Sequence, residues 1–348
     1  MKKHRVVIIG GGHGQSLICR GVKTISNIDL NAIVTVADDG GSTGRLRKNF
    51  HIPAMGDIRN VMISMAESEN MLSSLMDYRF DDPDGKEDDI LGHNLGNLIL
   101  TALTQQTGSF MTAIQEVSHI LNVKGNIIPA STDVITLYAR MEDGVIVRGE
   151  ANIPNHNHHI TRVFYQDEVH ACKEAVEAIQ NADLVIYGIG SVYTSILPNV
   201  IIPEIQEALC STKAELVYFC NAMTQPGETD GYTVEDHVDA LLYHHAPVDK
   251  VIVACDEIPE KILERYSVNG STKVNLVKQD HPYQVVTKEL LSFRNGFIHH
   301  DPEKINISGT KVWNDNNDQD GKRPTKITVQ VLKGEQVVAE VEVSAETD

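Results

Sequence analysis

Residues Arg5 to Gly14 read R-V-V-I-I-G-G-G-H-G, a β-branched run that breaks directly into glycine. A short apolar run of this kind is a strand, and the glycines are a tight turn at its carboxyl end. A segment with helical periodicity, Ser16–Val22, follows. The same pattern returns along the chain. Ala32–Ala37 ends in Asp38-Asp39, Leu184–Tyr187 ends in glycine, Leu216–Cys220 is closed by Asn221, and Val251–Ala254 is closed by Cys255-Asp256. Short apolar strands separated by helices imply a parallel sheet buried on both faces. Ligands of such sheets bind beyond the carboxyl ends of the strands, and Gly, Asp, Ser and Asn collect at those ends here.

Between the strands, Asp57–Glu67 carries Ile58, Val61, Met62 and Met65 on one face, and Asp57 can cap it. Asn94–Gln106 and Ser109–Leu121 read as a helical hairpin broken at Thr107-Gly108. Val134–Arg140 and Val145–Glu150 read as a β-hairpin insertion with Asp143-Gly144 in its turn. Asp81–Asp89 is a solvated acidic loop. Residues 1–310 read as one α/β domain. Residues 311–348 read as an acidic linker, Asn314–Lys322, and a C-terminal hairpin turning at Lys333-Gly334.

The formal charge of −18 opposes nucleic-acid binding, which needs a basic surface. No apolar run approaches the roughly 18–20 residues of a membrane span, and Val6–Ile9 is too short for a signal peptide's apolar region. The five cysteines are scattered without a Cys-x-x-Cys, which reads as free thiols. Together these point to a cytoplasmic protein.

Six loops could carry chemistry. Gly10–Gly14, with Gly11, Gly12, His13 and Gly14 at its tip, lets backbone N–H groups approach an anion at a helix N-terminus. It departs from the dinucleotide fingerprint G-x-G-x-x-G, having Gln15 where the last glycine would stand, and lacks an acidic ribose partner about 20 positions on. A nicotinamide dehydrogenase is therefore the weakest of the readings. The second loop runs Asp38-Asp39-Gly40-Gly41-Ser42-Thr43-Gly44-Arg45-Leu46-Arg47. Its carboxylates suit Mg²⁺, its hydroxyls and amides suit phosphate oxygens, and its guanidinium groups can fork onto phosphate. Met55-Gly56-Asp57-Ile58-Arg59-Asn60 and His93-Asn94-Leu95-Gly96-Asn97-Leu98 each open an apolar helix with polar groups that serve as caps or ligands. Gly188-Ile189-Gly190-Ser191-Val192-Tyr193-Thr194-Ser195 is a second strand-to-helix anion loop. Asn221 to Thr229, with Thr224 and Gln225, offers amides and hydroxyls suited to a base or sugar. Asn155-His156-Asn157-His158-His159 reads as solvated loop rather than a metal tract, and His244-His245 as half-buried structure.

These six loops in this order resemble the YvcK-type gluconeogenesis factors, the bacterial branch of the superfamily of CofD, a 2-phospho-L-lactate transferase. His300-Asp301-Pro302-Glu303-Lys304 extends the resemblance, which runs from about Arg5 to Ile305. It implies a three-layer Rossmann-like α/β fold, mostly parallel with helices on both faces, and a homodimer. The transferase branch moves phospholactyl from a guanosine diphosphate carrier to a deazaflavin alcohol with Mg²⁺, whose aspartates correspond to Asp38, Asp39 and Asp57. In an enzyme, Asp39 and Asp57 would be catalytic.

Cys220–Thr229 points instead to the YvcK branch, whose members look like binders of UDP-sugars such as UDP-N-acetylglucosamine. They have no established catalytic activity and are associated with gluconeogenic growth and cell shape. In that branch a ligand-contacting tyrosine maps to Tyr266. His299 stands where the branch has an arginine, and His13 where the first loop commonly has threonine. The resulting expectation is a nucleotide-sugar-binding regulator that requires no cofactor, with Mg²⁺ as an optional ion and a Mg²⁺-dependent transferase as the alternative.

Overall fold

The computed structural model describes residues 3–67, 71–81, 90–156 and 158–305 in full, and the backbone alone of 326–333 and 336–344. The chain divides into two compact units, residues 1–306 and 307–348. The linker read at Asn314–Lys322 lies outside the described residues, as does all of the Asp81–Asp89 loop except Asp81.

The strands of the first unit are β1 (His4–Gly10), β2 (Ile28–Val34), β3 (Asn126–Pro129), β4 (Leu137–Met141), β5 (Ile146–Arg148), β6 (Ile160–Tyr165), β7 (Leu184–Tyr187), β8 (Glu215–Phe219), β9 (Lys250–Ala254), β10 (Gln284–Lys288), β11 (Leu291–Arg294) and β12 (Phe297–His300). Its helices are α1 (Gly12–Val22), α2 (Gly41–Phe50), α3 (Gly56–Met65), α4 (Met71–Asp77), α5 (Leu95–Thr107), α6 (Phe110–Ile120), α7 (Lys173–Gln180), α8 (Leu197–Val200), α9 (Pro203–Ser211), α10 (Val234–Tyr243) and α11 (Glu260–Val268).

Seven strands form one sheet in the order β10-β9-β8-β7-β1-β2-β3, every neighbouring pair parallel. Val6 to Ile9 in β1 are at most 2% exposed. Consecutive residues of a strand point to opposite faces, so unbroken burial means that both faces are covered. The expected fold class, a mostly parallel α/β sheet with helices, is the one observed. The helical hairpin appears as α5 and α6, each capped by the side chain before it: Asn94 accepts from Asn97 N–H and Ser109 from Thr112 N–H.

Boundaries differ where the polar pattern and the hydrogen bonds part company. The second strand begins at Ile28, not Ala32, because Asp29 and Asn31 pair with Arg5 and Val7 of β1 at its solvated amino end. Strands β3 and β10 escape the periodicity reading, since each is short and lies at an outer edge of the sheet. The insertion has β4 in the middle, antiparallel to β5 and to an unforeseen third strand, β6. The open edge of β6 is closed by a side chain: His244 Nε2 accepts the Val163 N–H (3.0 Å), while its Nδ1 faces Ala240 O (2.7 Å). In the second unit, β13 (Lys326–Lys333) and β14 (Gln336–Ser344) form the expected hairpin.

Gln15, the residue that spoils the fingerprint, is fully buried. Its Nε2 donates to Ile8 O (2.9 Å) and Ile33 O (2.8 Å), cross-linking β1 and β2. Gln15→Leu keeps the size but leaves both carbonyls without that donor, and is expected to lower stability by about 1–3 kcal/mol. Urea unfolding of the variant against the parent protein measures it, and an unchanged midpoint would refute the cross-link's role.

Candidate functional site

From β1 the sheet grows through β2 and β3 on one side and through β7 to β10 on the other. At such a reversal, neighbouring strands send their loops to opposite faces and a crevice opens beyond their carboxyl ends. The loops leaving β1 and β7 are the two glycine loops, and they meet here. A Cβ on Gly14 would stand 2.6 Å from Gly190 N and from the Ile189 carbonyl carbon. The two backbones touch, and a side chain at Gly14 would force them apart. Gly12 adopts φ 60°, a left-handed conformation that favours glycine. Asn199 adds a second tie, donating through Nδ2 to Gly10 O (3.1 Å) and Ser195 O (2.8 Å). His13 is exposed at the rim.

The second, third and fourth loops are bonded into one body. Ser42 Oγ meets His93 Nδ1 (2.9 Å) and accepts from Asn94 N (3.3 Å) and Asn97 Nδ2 (3.4 Å). The Thr43 hydroxyl donates to Asp38, and a Cβ on Gly56 would lie 2.7 Å from Thr43 Oγ1 and 3.1 Å from Asp38 Oδ2. The arginines of the second loop, read as phosphate forks, and Arg59 of the third are engaged by the protein itself. Arg59 donates to Asn60 Oδ1 (2.5 Å) and Asn97 Oδ1 (3.5 Å) and pairs with Asp77 (3.8 Å). Arg45 reaches Leu91 O (2.8 Å), and Arg47 holds the carbonyls of Ala37, Asp38 and Ile135. Gly40 and Gly41 lead into α2 beside them.

Carboxylates crowd the same strand ends. Asp38 accepts the Gly40 N–H (2.9 Å) and Asp57 the Gly12 N–H. Asp39 Oδ1 accepts the Ala151 N–H (2.9 Å), fixing the 3₁₀ turn Glu150–Asn155 of the insertion. Burial raises Asp38; burial and then the charge of Asp38 push Asp57 up to about 7. Glu150 is pushed up to about 8 by burial, then by Asp38 and Asp57. Asp38 and Asp57 are the pair suited to a divalent cation, because both are buried acids held above their ordinary range and the charge of Asp38 adds to the rise at Asp57. Asp39 is committed to Ala151. Among the described residues no three of His, Cys, Asp and Glu cluster closely enough to hold a metal.

The fifth and sixth loops are joined by a residue absent from the sequence-derived set. Glu228 is 1% exposed and accepts from Ser191 Oγ, Thr194 Oγ1 (3.1 Å) and Gln225 Nε2 (2.7 Å). Burial pushes it up to about 7 in spite of those donors. Asn221 Nδ2 donates to Ile189 O (3.3 Å) and Gly190 O (3.2 Å), Tyr193 Oη meets Tyr232 Oη (2.8 Å), and Thr224 Oγ1 accepts the Thr272 N–H (2.8 Å). Ser195 packs against Gly190. Tyr266 is bonded elsewhere: its hydroxyl accepts the Ile298 N–H (3.0 Å) of the β11–β12 hairpin. The His300–Lys304 motif is a clamp, with Lys304 Nζ on Asp256 Oδ1 (3.2 Å) and Leu291 O (2.7 Å). Glu150 and Glu228 gave no sequence signal as a pair, because a hairpin insertion and a loop some 80 residues away must fold together before they face one site.

Residues 6–291 match the family model described as 2-phospho-L-lactate transferase CofD, and residues 307–348 match that of the Cna protein B-type domain. A Bacillus subtilis (strain 168) protein named gluconeogenesis factor is 42% identical over 310 residues, 87% of this chain and 96% of that one. A gluconeogenesis factor of Halalkalibacterium halodurans is 46% identical over 270 residues, 77% of this chain and 82% of that one. The crystal structure of a Bacillus halodurans protein shares the fold with a TM-score of 0.83 and 41% identity, across 87% of this chain and 98% of that one.

An acid whose folded value is raised adds stability below its ordinary value, and loses it as pH climbs through the folded value. For Glu228 that window runs from 4.5 to about 7. Glu228→Gln cannot ionise, so relative to the parent it is expected to gain stability between pH 5 and pH 8. Urea midpoints at the two values test this, and a constant difference would contradict it.

Proposed function

The chain belongs to the CofD family, and we propose that within it this protein is a gluconeogenesis factor acting as a nucleotide-sugar-binding regulator of growth and cell shape on gluconeogenic carbon sources. On this reading it is a cytoplasmic homodimer that carries out no reaction, and UDP-N-acetylglucosamine is the representative ligand. Among the described residues no helix is long and apolar enough to cross a membrane.

The observation that carries the reading is the meeting of the Gly10–Gly14 and Gly188–Ser195 loops at the strand-order reversal. At that meeting the backbone N–H groups of the first loop, at the start of α1, suit phosphate oxygens without a side chain in the way, and the second loop forms the facing wall. The loop around Asn221–Gln225 leaves the next strand, and Asn221 bonds the Ile189 and Gly190 carbonyls, so its amides and hydroxyls are offered to a second end of the same ligand. The relatives' name, gluconeogenesis factor, supports the link to gluconeogenic growth.

The crowd of carboxylates sets a condition on that ligand. A diphosphate beside Asp38 and Asp57 meets like charge, and a Mg²⁺ ion held between them would neutralise both. The same pair favours a second reading, a Mg²⁺-dependent transferase acting on a nucleotide-diphosphate-linked donor. There the ion would supply charge neutralisation at the reacting phosphate. Asp38 and Asp57 would hold it, while the loops after β1 and β2 would orient the donor. Asp57→Asn, folded but inactive in transfer, would be its mark.

Isothermal titration with UDP-N-acetylglucosamine tests the leading reading. Binding is expected, tighter with Mg²⁺ than with a chelator, and at least about tenfold weaker in Gly14→Ala, whose added methyl separates the two loops. No heat at millimolar ligand in either condition would end the reading.

A further inference from the structure

Glu228 leaves the loop after β8, yet its carboxylate is bonded chiefly to the loop after β7. Ser191 Oγ and Thr194 Oγ1 donate to it from that neighbouring loop, the latter lying within reach of both carboxylate oxygens, and Gln225 Nε2 donates from its own. A carboxylate offers about four acceptor sites, and these three donors, one of them shared between both oxygens, occupy most of them. All are neutral groups, and Glu228 is buried.

We infer that Glu228 is a built-in anion occupying the donor set of the loop after β7, so that this loop selects an uncharged, hydrogen-bond-donating part of the ligand and rejects a phosphate or carboxylate. This rests on the nucleotide-sugar reading of the site and assigns one end of it. The chemistry follows from proton bookkeeping. A hydroxyl has one proton, and those of Ser191 and Thr194 are spent on Glu228. Ser191 Oγ also accepts the Thr194 N–H (3.2 Å), so what the two hydroxyls have left is lone pairs, which bind donors such as sugar hydroxyls or an amide N–H. An anion arriving there finds acceptors and a like charge in a poorly screened interior, where repulsion is strong. Ser191 and Thr194, read from sequence as phosphate donors, become sugar-recognising acceptors.

The test uses two ligands that differ only at C6 of the sugar, UDP-glucose and UDP-glucuronate, titrated into the full-length protein and Glu228→Gln at a pH well above the value of about 7 to which burial raises Glu228, so that its carboxylate is charged. The parent is expected to prefer UDP-glucose by about tenfold or more, the ratio set by one hydrogen bond of ordinary strength. Glu228→Gln, whose amide N–H₂ releases a hydroxyl proton, should bring the ratio toward one. A ratio near one in the parent, or an unchanged ratio in the variant, overturns the assignment. If the parent binds neither sugar, the nucleotide-sugar reading fails, and inorganic phosphate decides the assignment alone. Phosphate should raise the melting temperature of Glu228→Ala more than that of the parent, and equal shifts overturn the assignment. Should Glu228→Ala not fold, the same comparison is made with Glu228→Gln.

Discussion

The contact that the site depends on is backbone against backbone, where Gly14 lies on the Ile189–Gly190 peptide. Strands β1 and β7 are neighbours in the sheet although most of the intervening chain builds the other half of the fold. Their loops approach this closely only because Gly14 and Gly190 add no side chains. Asn199 and Gln15 make the approach permanent, one tying the β7 loop to Gly10 and the other tying β1 to β2. The crevice is thus shaped by groups that cannot themselves bind much, and the binding groups are mounted around it.

Around that contact the protein supplies its own anions. Asp57 takes the Gly12 N–H, Asp39 the Ala151 N–H, and Glu228 the donors of the β7 loop. Donor loops in such a fold are attractive to any anion. In a chain of net charge −18, internal carboxylates are always at hand to answer. Each carboxylate thereby narrows what a ligand can present at its loop, and burial leaves Asp57, Glu150 and Glu228 close to neutrality in their proton affinity. Recognition here is a matter of which donors remain unclaimed.

Much of the fold was legible in the sequence. The run into Gly10 and its counterparts at Leu184, Leu216 and Val251 mark central strands, because strands buried on both faces must be apolar without interruption. The outermost strands β3 and β10 were not, since a short edge strand has little apolar pattern to show. Glycine and hydroxyl positions picked out the loops, and the geometry brings the first, second, third and fourth together with the fifth and sixth. What the residues do there depends on proton direction. Nothing local in Ser191 or Thr194 says that a glutamate more than thirty residues away will take their protons. Likewise Arg45 and Arg47 look like phosphate forks until Leu91 O and the carbonyls of Ala37, Asp38 and Ile135 are seen to hold them.

The imidazole of His244 has a bearing on the protein's behaviour in bulk. By accepting the Val163 N–H, it occupies one rung of an unpaired strand margin that could otherwise recruit a strand from another molecule. It can do so only while neutral, and burial holds its proton affinity below the ordinary histidine range. Protonation in acid would replace an acceptor with a donor facing a donor and unblock the rung. The barrier against sheet-to-sheet aggregation is therefore sound at neutral pH and weakest in acid, where the protein also loses much of the negative charge that keeps its copies apart.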